Sequence, residues 1–391
     1  MRIAIYIMLL NAVFTAAKAQ DLESYLQSVE QHNPRLIALQ KWISAEQTYA
    51  RTGIYPDNPE LSYNYLFGSP EVIGDQQELE ITQSFKLPGY YTSKLALQQL
   101  ELQQKEALVE KERREVLHTA RSAWFKMSHL IKKEEYLQNR KSEAAQYITN
   151  IKVAFESGEI SKATYYKAQI YAVGAETNWK KTRSEIKIHK QYLTQLNGGK
   201  TLTDVGNSYP LDWKLPVLDS LLALVNINNP DLIMAQLSVE QANKEIKHER
   251  MNGLPAFEAG YKSEKVLDQK LQGFHAGISV PLWQNKNKVK HAQLQSEYSQ
   301  ANLTQKIAEV ENKAKVLFYS AQTAKESYLQ IRGIIKDDSL LNTSVELLQS
   351  GQISFSEYIL ETEMVTETYF TFLDYQFNYY EKLSELKLLI E

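Results

Sequence analysis

The side chains able to do chemistry are spaced in a way that excludes most chemistry. The seven histidines are His32, His118, His129, His189, His248, His275 and His291. No two stand four apart, and none sits in a His-Glu-x-x-His or other metal-ligand cluster. The chain of 391 residues has no cysteine, which removes disulfides, thiolate metal sites and a Cys nucleophile. There is no Gly-rich phosphate loop and no G-x-S-x-G elbow. Carboxylates are plentiful, but they lie in Glu/Lys runs such as 105–114, which read as a solvated helix surface. The reading is therefore non-enzymatic, with no cofactor and no metal site. A formal charge of −3 gives no electrostatic case for nucleic acid.

The elements explain more than the sites do. Residues 1–19 read as a secretory signal peptide. It has a basic start at Arg2, an apolar run over 3–17, and Ala17-Lys18-Ala19 as an A-x-A-like cleavage site. No later stretch is apolar enough for a membrane-spanning helix, so any insertion must use strands.

The rest of the chain repeats itself. Asn33-Pro34-Arg35-Leu36-Ile37 returns as Asn229-Pro230-Asp231-Leu232-Ile233, an offset of 196. Gln40, Pro59 and Tyr65 return as Gln236, Pro255 and Tyr261 at that same offset. Ser157-Gly158-Glu159-Ile160-Ser161 returns as Ser350-Gly351-Gln352-Ile353-Ser354. Two structural repeats are expected, over 20–200 and 201–391. In the first, short helices over 21–31 and 35–51 break at Asn33-Pro34. A β-hairpin over 59–86 and a helical hairpin over 90–197 follow. The second repeat has a β-hairpin over 255–282, with strands at 257–261 and 274–280, and a helical hairpin over 284–390.

Each helical hairpin opens with a rod of roughly 65 residues, about 100 Å long. Val109, Val116, Ala123, Leu130 and Leu137 recur every seven residues, with Ala120 and Met127 between them. In the second copy Val310, Leu317, Ala324 and Ile331 do the same, with Ala321 and Tyr328 between. This is a coiled-coil seam, and its alanines predict close helix approach. The strands alternate polar and apolar residues. Four such strands cannot close a barrel alone, so several protomers must share one; three would give twelve strands. Tyr55, Tyr63, Tyr65, Phe67, Phe85, Tyr90, Tyr91, Tyr261 and Trp283 are candidates for interfacial girdles. The expected outward loops are 68–76 and 263–272.

Duplication, element order and the Ser-Gly-x-Ile-Ser turns together resemble the TolC-like outer membrane efflux proteins over essentially the whole mature chain. Asn33-Pro34 and Asn229-Pro230 resemble that family's opening motif. The segment 83–89 and its counterpart 278–282 resemble its strand exit, and with the overall length they resemble the heavy-metal cation efflux branch. The resemblance implies a mainly α fold with a small β part. It also implies a homotrimer with a twelve-stranded barrel in the outer membrane and a helical barrel in the periplasm. Its partners would be a periplasmic adaptor, an inner-membrane pump of the RND type and outer-membrane lipid. The function implied is a passive exit duct for small solutes or heavy-metal cations; the alternative is a periplasmic coiled-coil scaffold. Under the resemblance, Ser157, Gly158, Glu159, Ile160, Ser161, Ser350, Gly351, Gln352, Ile353 and Ser354 form adaptor-docking tips. Glu357 would line a constriction of the tunnel, where three copies favour cations and repel one another. Thr164 stands in its place in the first copy. Leu360 departs from a second acidic position expected there, with Glu361 beside it.

Overall fold

A computed structural model describes residues 21–202, 209–210, 212–335, 344–348 and 350–391. The expected signal peptide lies outside the described residues. The element order is α1 (Leu22–His32), α2 (Pro34–Tyr49), β1 (Glu60–Leu66), β2 (Gln76–Phe85), α3 (Pro88–Glu156) and α4 (Lys162–Leu196). It then repeats as α5 (Leu218–Asn228), α6 (Pro230–Asn252), β3 (Ala256–Val266), β4 (Gln269–Ser279), α7 (Lys288–Ile335) and α8 (Phe355–Ile390). The fold is mainly helical with one small sheet, as the periodicities predict. Two compact units cut across this order. The first holds the described residues within 1–34, 116–215 and 317–386; the second holds those within 35–115, 216–316 and 387–391.

The repeated Asn-Pro pair has a mechanical role in each unit. Proline takes the first helical position, where its missing N–H is no loss. In the first unit the Asn33 side-chain amide donates to the Leu196 carbonyl at the end of α4, at 2.8 Å. In the second, Asn229 donates to the Leu389 carbonyl near the end of α8, at 3.4 Å. Asn229 Oδ1 also accepts from the Asp231 and Leu232 N–H groups, capping α6. A short helix is thus tied to the last carbonyls of a returning helix twice over.

In the first unit α3 packs antiparallel on α4 and α8. Phe155 stacks on Tyr165 at 4.8 Å, and Trp179 Nε1 donates to Glu134 at 2.7 Å. Tyr136 stacks on Tyr369 at 4.6 Å, and Ser122 donates to Glu381 at 2.8 Å. The predicted seam is buried at Val116, Ala120, Ala123, Met127, Leu130 and Leu137, and again at Val310, Leu317, Ala321 and Ala324. Val109, Tyr328 and Ile331 are only half-buried. The covered positions of the seam mix alanine with Val116, Leu130, Leu137 and Leu317. Beside it Tyr25 stacks on Trp124 at 5.3 Å and donates its hydroxyl to the Leu193 carbonyl at 3.1 Å.

Two histidines, the buried His129 of α3 and the half-buried His189 of α4, make this packing acid-sensitive. Burial is the main cause that holds His129 and His189 below their ordinary value. For His129, Lys126 and Lys133 act in the same direction, while Asp374 and the Leu373 carbonyl oppose it. The unfolded chain therefore takes protons more readily than the folded one. Stability from these groups is present above about pH 6.5 and is lost as pH falls through the lowered folded values. Thermal midpoints should drop between pH 7 and pH 5, and H129Q should flatten that slope.

The second unit carries the sheet, in the order β1-β2-β3-β4, antiparallel throughout. One expectation is corrected here. Residues 263–272, predicted as a loop, are mostly strand, because β3 runs to Val266 and β4 starts at Gln269. Only Leu267 and Asp268 turn the chain. The apolar alternation fades after Tyr261, but the ladder continues on polar residues, with Lys262 paired to Glu78 on the neighbouring strand. The rod α7 begins at Lys288 rather than at 284, and helix is present again over 344–348.

Candidate functional site

Register decides what each face of the sheet presents. Leu61, Ile81, Tyr261 and Phe274 lie side by side across all four strands. The flanking row runs Tyr63, Leu79, Ser263 and Gln272. Towards the helices, Phe85, Phe257 and Ile278 form another row, with Phe85 and Phe257 stacked at 6.0 Å. This apolar face is uncovered: Phe274 is 91% exposed, Ile278 61% and Leu61 68%. A soluble sheet buries such a face; this one leaves it bare. Tyr65 and Phe67 lie at the hairpin end, and Phe85, with the exposed Tyr55 and Trp283, belongs to the helix end.

The opposite face is largely polar, and its charges are mostly acidic. Ser62, Glu80, Lys262 and Gly273 form one row, and Asn64, Glu78, Glu264 and Leu271 the next. Lys262 is ion-paired with Glu78, and Gln76 donates to Glu264 at 2.7 Å. His275 Nε2 stands 3.6 Å from Glu80 and 3.5 Å from Glu258. The outer edges of β1 and β4 have no partner strand among the described residues. Strands of 10 and 11 residues, as in β2, β3 and β4, match the length a tilted membrane strand needs.

The two Ser-Gly turns of the first unit are built alike. Gly158 has φ +82° and Gly351 φ +72°. The Gly158 N–H donates to Phe155 and the Glu159 N–H to Ala154. Gly351 and Gln352 repeat the pattern on Leu348 and Leu347. This is the Schellman stop, which requires a left-handed residue. A Cβ at either glycine would meet no atom within 4 Å, so backbone conformation alone demands glycine. Gly158→Ala and Gly351→Ala should each lower stability by about 1 kcal/mol in denaturant titrations, with no loss of packing.

After each turn a serine starts the next helix. Ser161 Oγ accepts from the Thr164 N–H at 3.1 Å. Ser354 Oγ accepts from the Glu357 N–H at 3.2 Å, while Glu357 Oε2 accepts from the Ser354 N–H at 2.7 Å. That reciprocal pair is a capping box. The hydrogen bond from the Ser354 backbone holds the exposed Glu357 carboxyl below its usual value. The Ser-x-x-Glu spacing of Ser354 and Glu357 is the sequence signature of that capping box.

Ser157, Gly158, Glu159, Ser161, Ser350, Gly351, Gln352 and Ser354 are exposed. Ile160 and Ile353 instead turn inward onto one cluster with Ile151, Ala168, Phe355 and Tyr358. Phe355 stacks on Tyr147 at 4.6 Å, and burial pushes the Tyr147 hydroxyl up to about 12. The two turns therefore share a core, which spacing alone did not reveal. Among the described residues no group of His, Asp and Glu could hold a metal ion, and no helix is long and apolar enough to cross a membrane.

No family model matches the sequence, and no curated protein matches it. Solved structures do. The chain is similar to CusC, whose crystal structures concern folding and transmembrane channel formation (TM-score 0.79, 14% identity, 94% of this chain and 91% of that one). It is similar to the Campylobacter jejuni CmeC outer membrane channel (TM-score 0.78, 12% identity, 94% and 85%). The Neisseria gonorrhoeae MtrE outer membrane channel, solved in its open state, matches at TM-score 0.78 and 14% identity, over 94% of this chain and 88% of that one. This chain has the fold of those channels.

Proposed function

We propose that the chain is one protomer of a trimeric exit duct, with its strands in the outer membrane and its long helices in the periplasm. One observation carries the reading. The sheet has a bare apolar face, an acidic face and two unpaired edges, a combination that only a lipid-embedded, closed barrel satisfies. Three copies supply the twelve strands a barrel needs. Likeness in fold to outer membrane channels supports the same conclusion. We read the duct as the outer component of a tripartite efflux system, passive and non-enzymatic. A periplasmic adaptor docks on the two Ser-Gly turns, and an inner-membrane pump of the RND type supplies the energy. Each half of the chain is one copy of a duplicated unit, which the paired Asn33 and Asn229 contacts support. The cargo is small solutes or metal cations. Glu78, Glu80, Glu258 and Glu264, set against Lys262 and His275, make the barrel's inner face favour cations. Three copies of Glu357 form a further acidic ring at the tip.

Membrane fractionation tests this reading. Run without boiling, the outer-membrane fraction should show a species near three times the 45.0 kDa chain mass that falls to monomer on heating. A soluble periplasmic monomer would overturn the duct and leave a coiled-coil scaffold.

A further inference from the structure

In the second unit a cavity of about 200 Å³ opens where the sheet meets the helices. The segment 53–57, the end of β2 and the start of α3 enclose it. No residue of β1 lines it, so the unpaired edge of that strand stays free for a neighbouring strand. Two lysines do line it. Lys94 Nζ lies against the Gly53 backbone, where a Cβ would come to 3.3 Å from it. Among the described residues this half-buried ammonium has no acceptor and no carboxylate partner, and it is open to solvent. Lys86 Nζ donates to Asn252 Oδ1 at 2.6 Å and lies 3.9 Å from the centre of the Tyr90 ring. Neither of those partners carries a charge. His248 packs on the Tyr90 ring at 5.0 Å and shares a hydrogen bond with Ser93. Burial is the main cause that holds His248 below its ordinary value; Lys86 and Lys94 act with it, against Glu249. Two uncompensated positive charges thus reach one opening.

The other lining groups select the ligand. Tyr91 Oη accepts from the Lys86 N–H at 3.0 Å, which leaves its own proton free to donate. Two ammonium groups and a phenol around one space suit an anion with several oxygens, as a phosphate has. Among the described lining residues Asp57 alone carries a carboxylate; it is exposed and paired with neither lysine. A bare phosphate gains nothing from Asp57, whereas a phosphate bearing a nearby ammonium does.

Position selects the source. Phe85, the last residue of β2 and a member of the bare apolar row, lines the cavity. Tyr55, 72% exposed, lines it too. Aromatic side chains of this kind gather at the headgroup level of a bilayer. The volume is smaller than that of a drug-sized site and suits a headgroup whose acyl chains stay outside. We propose that this cavity binds the headgroup of a phosphodiester lipid with a primary ammonium, as in phosphatidylethanolamine. The phosphate meets Lys86, Lys94 and Tyr91, the ammonium meets Asp57, and the acyl chains leave past Phe85. The inference rests on the duct reading, which puts this end of the sheet at the periplasmic leaflet.

Native mass spectrometry of the full-length protein, released from a mild detergent, is the test. The protein is mixed with phosphatidylethanolamine, phosphatidylcholine or phosphatidylglycerol of identical acyl chains, and free phosphoethanolamine is the soluble arm. One phosphatidylethanolamine per chain should be retained, with about tenfold preference over phosphatidylcholine. Lys94→Gln should weaken phosphatidylethanolamine and phosphatidylglycerol alike, by about tenfold. Asp57→Asn should remove the preference over phosphatidylcholine without weakening phosphatidylglycerol. Equal retention of the three lipids, or equal retention by wild type and K94Q, would mean annular lipid only and would sink the proposal. Free phosphoethanolamine binding as tightly as the lipid would overturn the lipid as its source. An outer-membrane trimer without lipid preference removes this inference alone, whereas a soluble monomer removes the duct reading and this inference with it.

Discussion

Phe274→Arg is expected to eliminate the heat-sensitive outer-membrane species. Phe274 ends the four-residue apolar row, at the midpoint of β4, and is 91% exposed in the single chain. Under the proposed barrel it meets lipid. An arginine on a lipid-facing strand position costs about 2–4 kcal/mol near the midplane, and a trimer carries it three times. Ser62→Arg is the matched control, because Ser62 lies in the Glu80–Lys262 row on the polar face. Its arginine would face the aqueous interior beside Glu80, and assembly should survive. Unboiled gels of outer-membrane fractions separate the two outcomes. If F274R assembles as well as S62R, the apolar face does not meet lipid, and the scaffold reading gains.

Phe355→Ala should be the most destabilising single change near the Ser-Gly turns. Phe355 is buried, stacks on Tyr147 at 4.6 Å, meets Tyr171 edge-on at 6.2 Å and lies 6.3 Å from Tyr358. Truncating a buried phenylalanine costs about 3–5 kcal/mol through lost burial and the cavity left behind. Ile160 and Ile353 pack on the same cluster, so both turns lose their common support. Denaturant unfolding should show the loss, and limited proteolysis should cut first near 155–161 and 350–355. Under the proposed function, adaptor capture should fail in F355A while trimer formation persists. Ser350→Ala removes only local hydrogen bonds to the Glu346 and Leu347 carbonyls and should change stability little. A stable F355A with unaltered cleavage would show that the cluster does not hold the turns.

Much of this protein follows from local rules. Helix ends, glycine stops and strand alternation are properties of neighbouring residues, so α1 to α4 and the return helix α8 could be placed from spacing alone. The seven-residue repeat through Ala120 and Ala123 fixed which face of α3 would be covered. The absence of cysteine chemistry was also legible, because a cysteine count needs no fold to be read. Other features depend on groups far apart in the chain. The extension of β3 and β4 past Tyr261 rests on cross-strand partners such as Glu78 and Lys262, which no local pattern names. The tie of Asn33 to Leu196 crosses the length of the first repeat, and so does the union of the two turns around Phe355. The burial of Arg140 could not be foreseen either. On the sequence it is one more charge in a solvated helix. Only the packing of α4 and α8 on α3 withdraws it from water, with Nη2 paired to Glu143 and the guanidinium set over the Tyr136 ring.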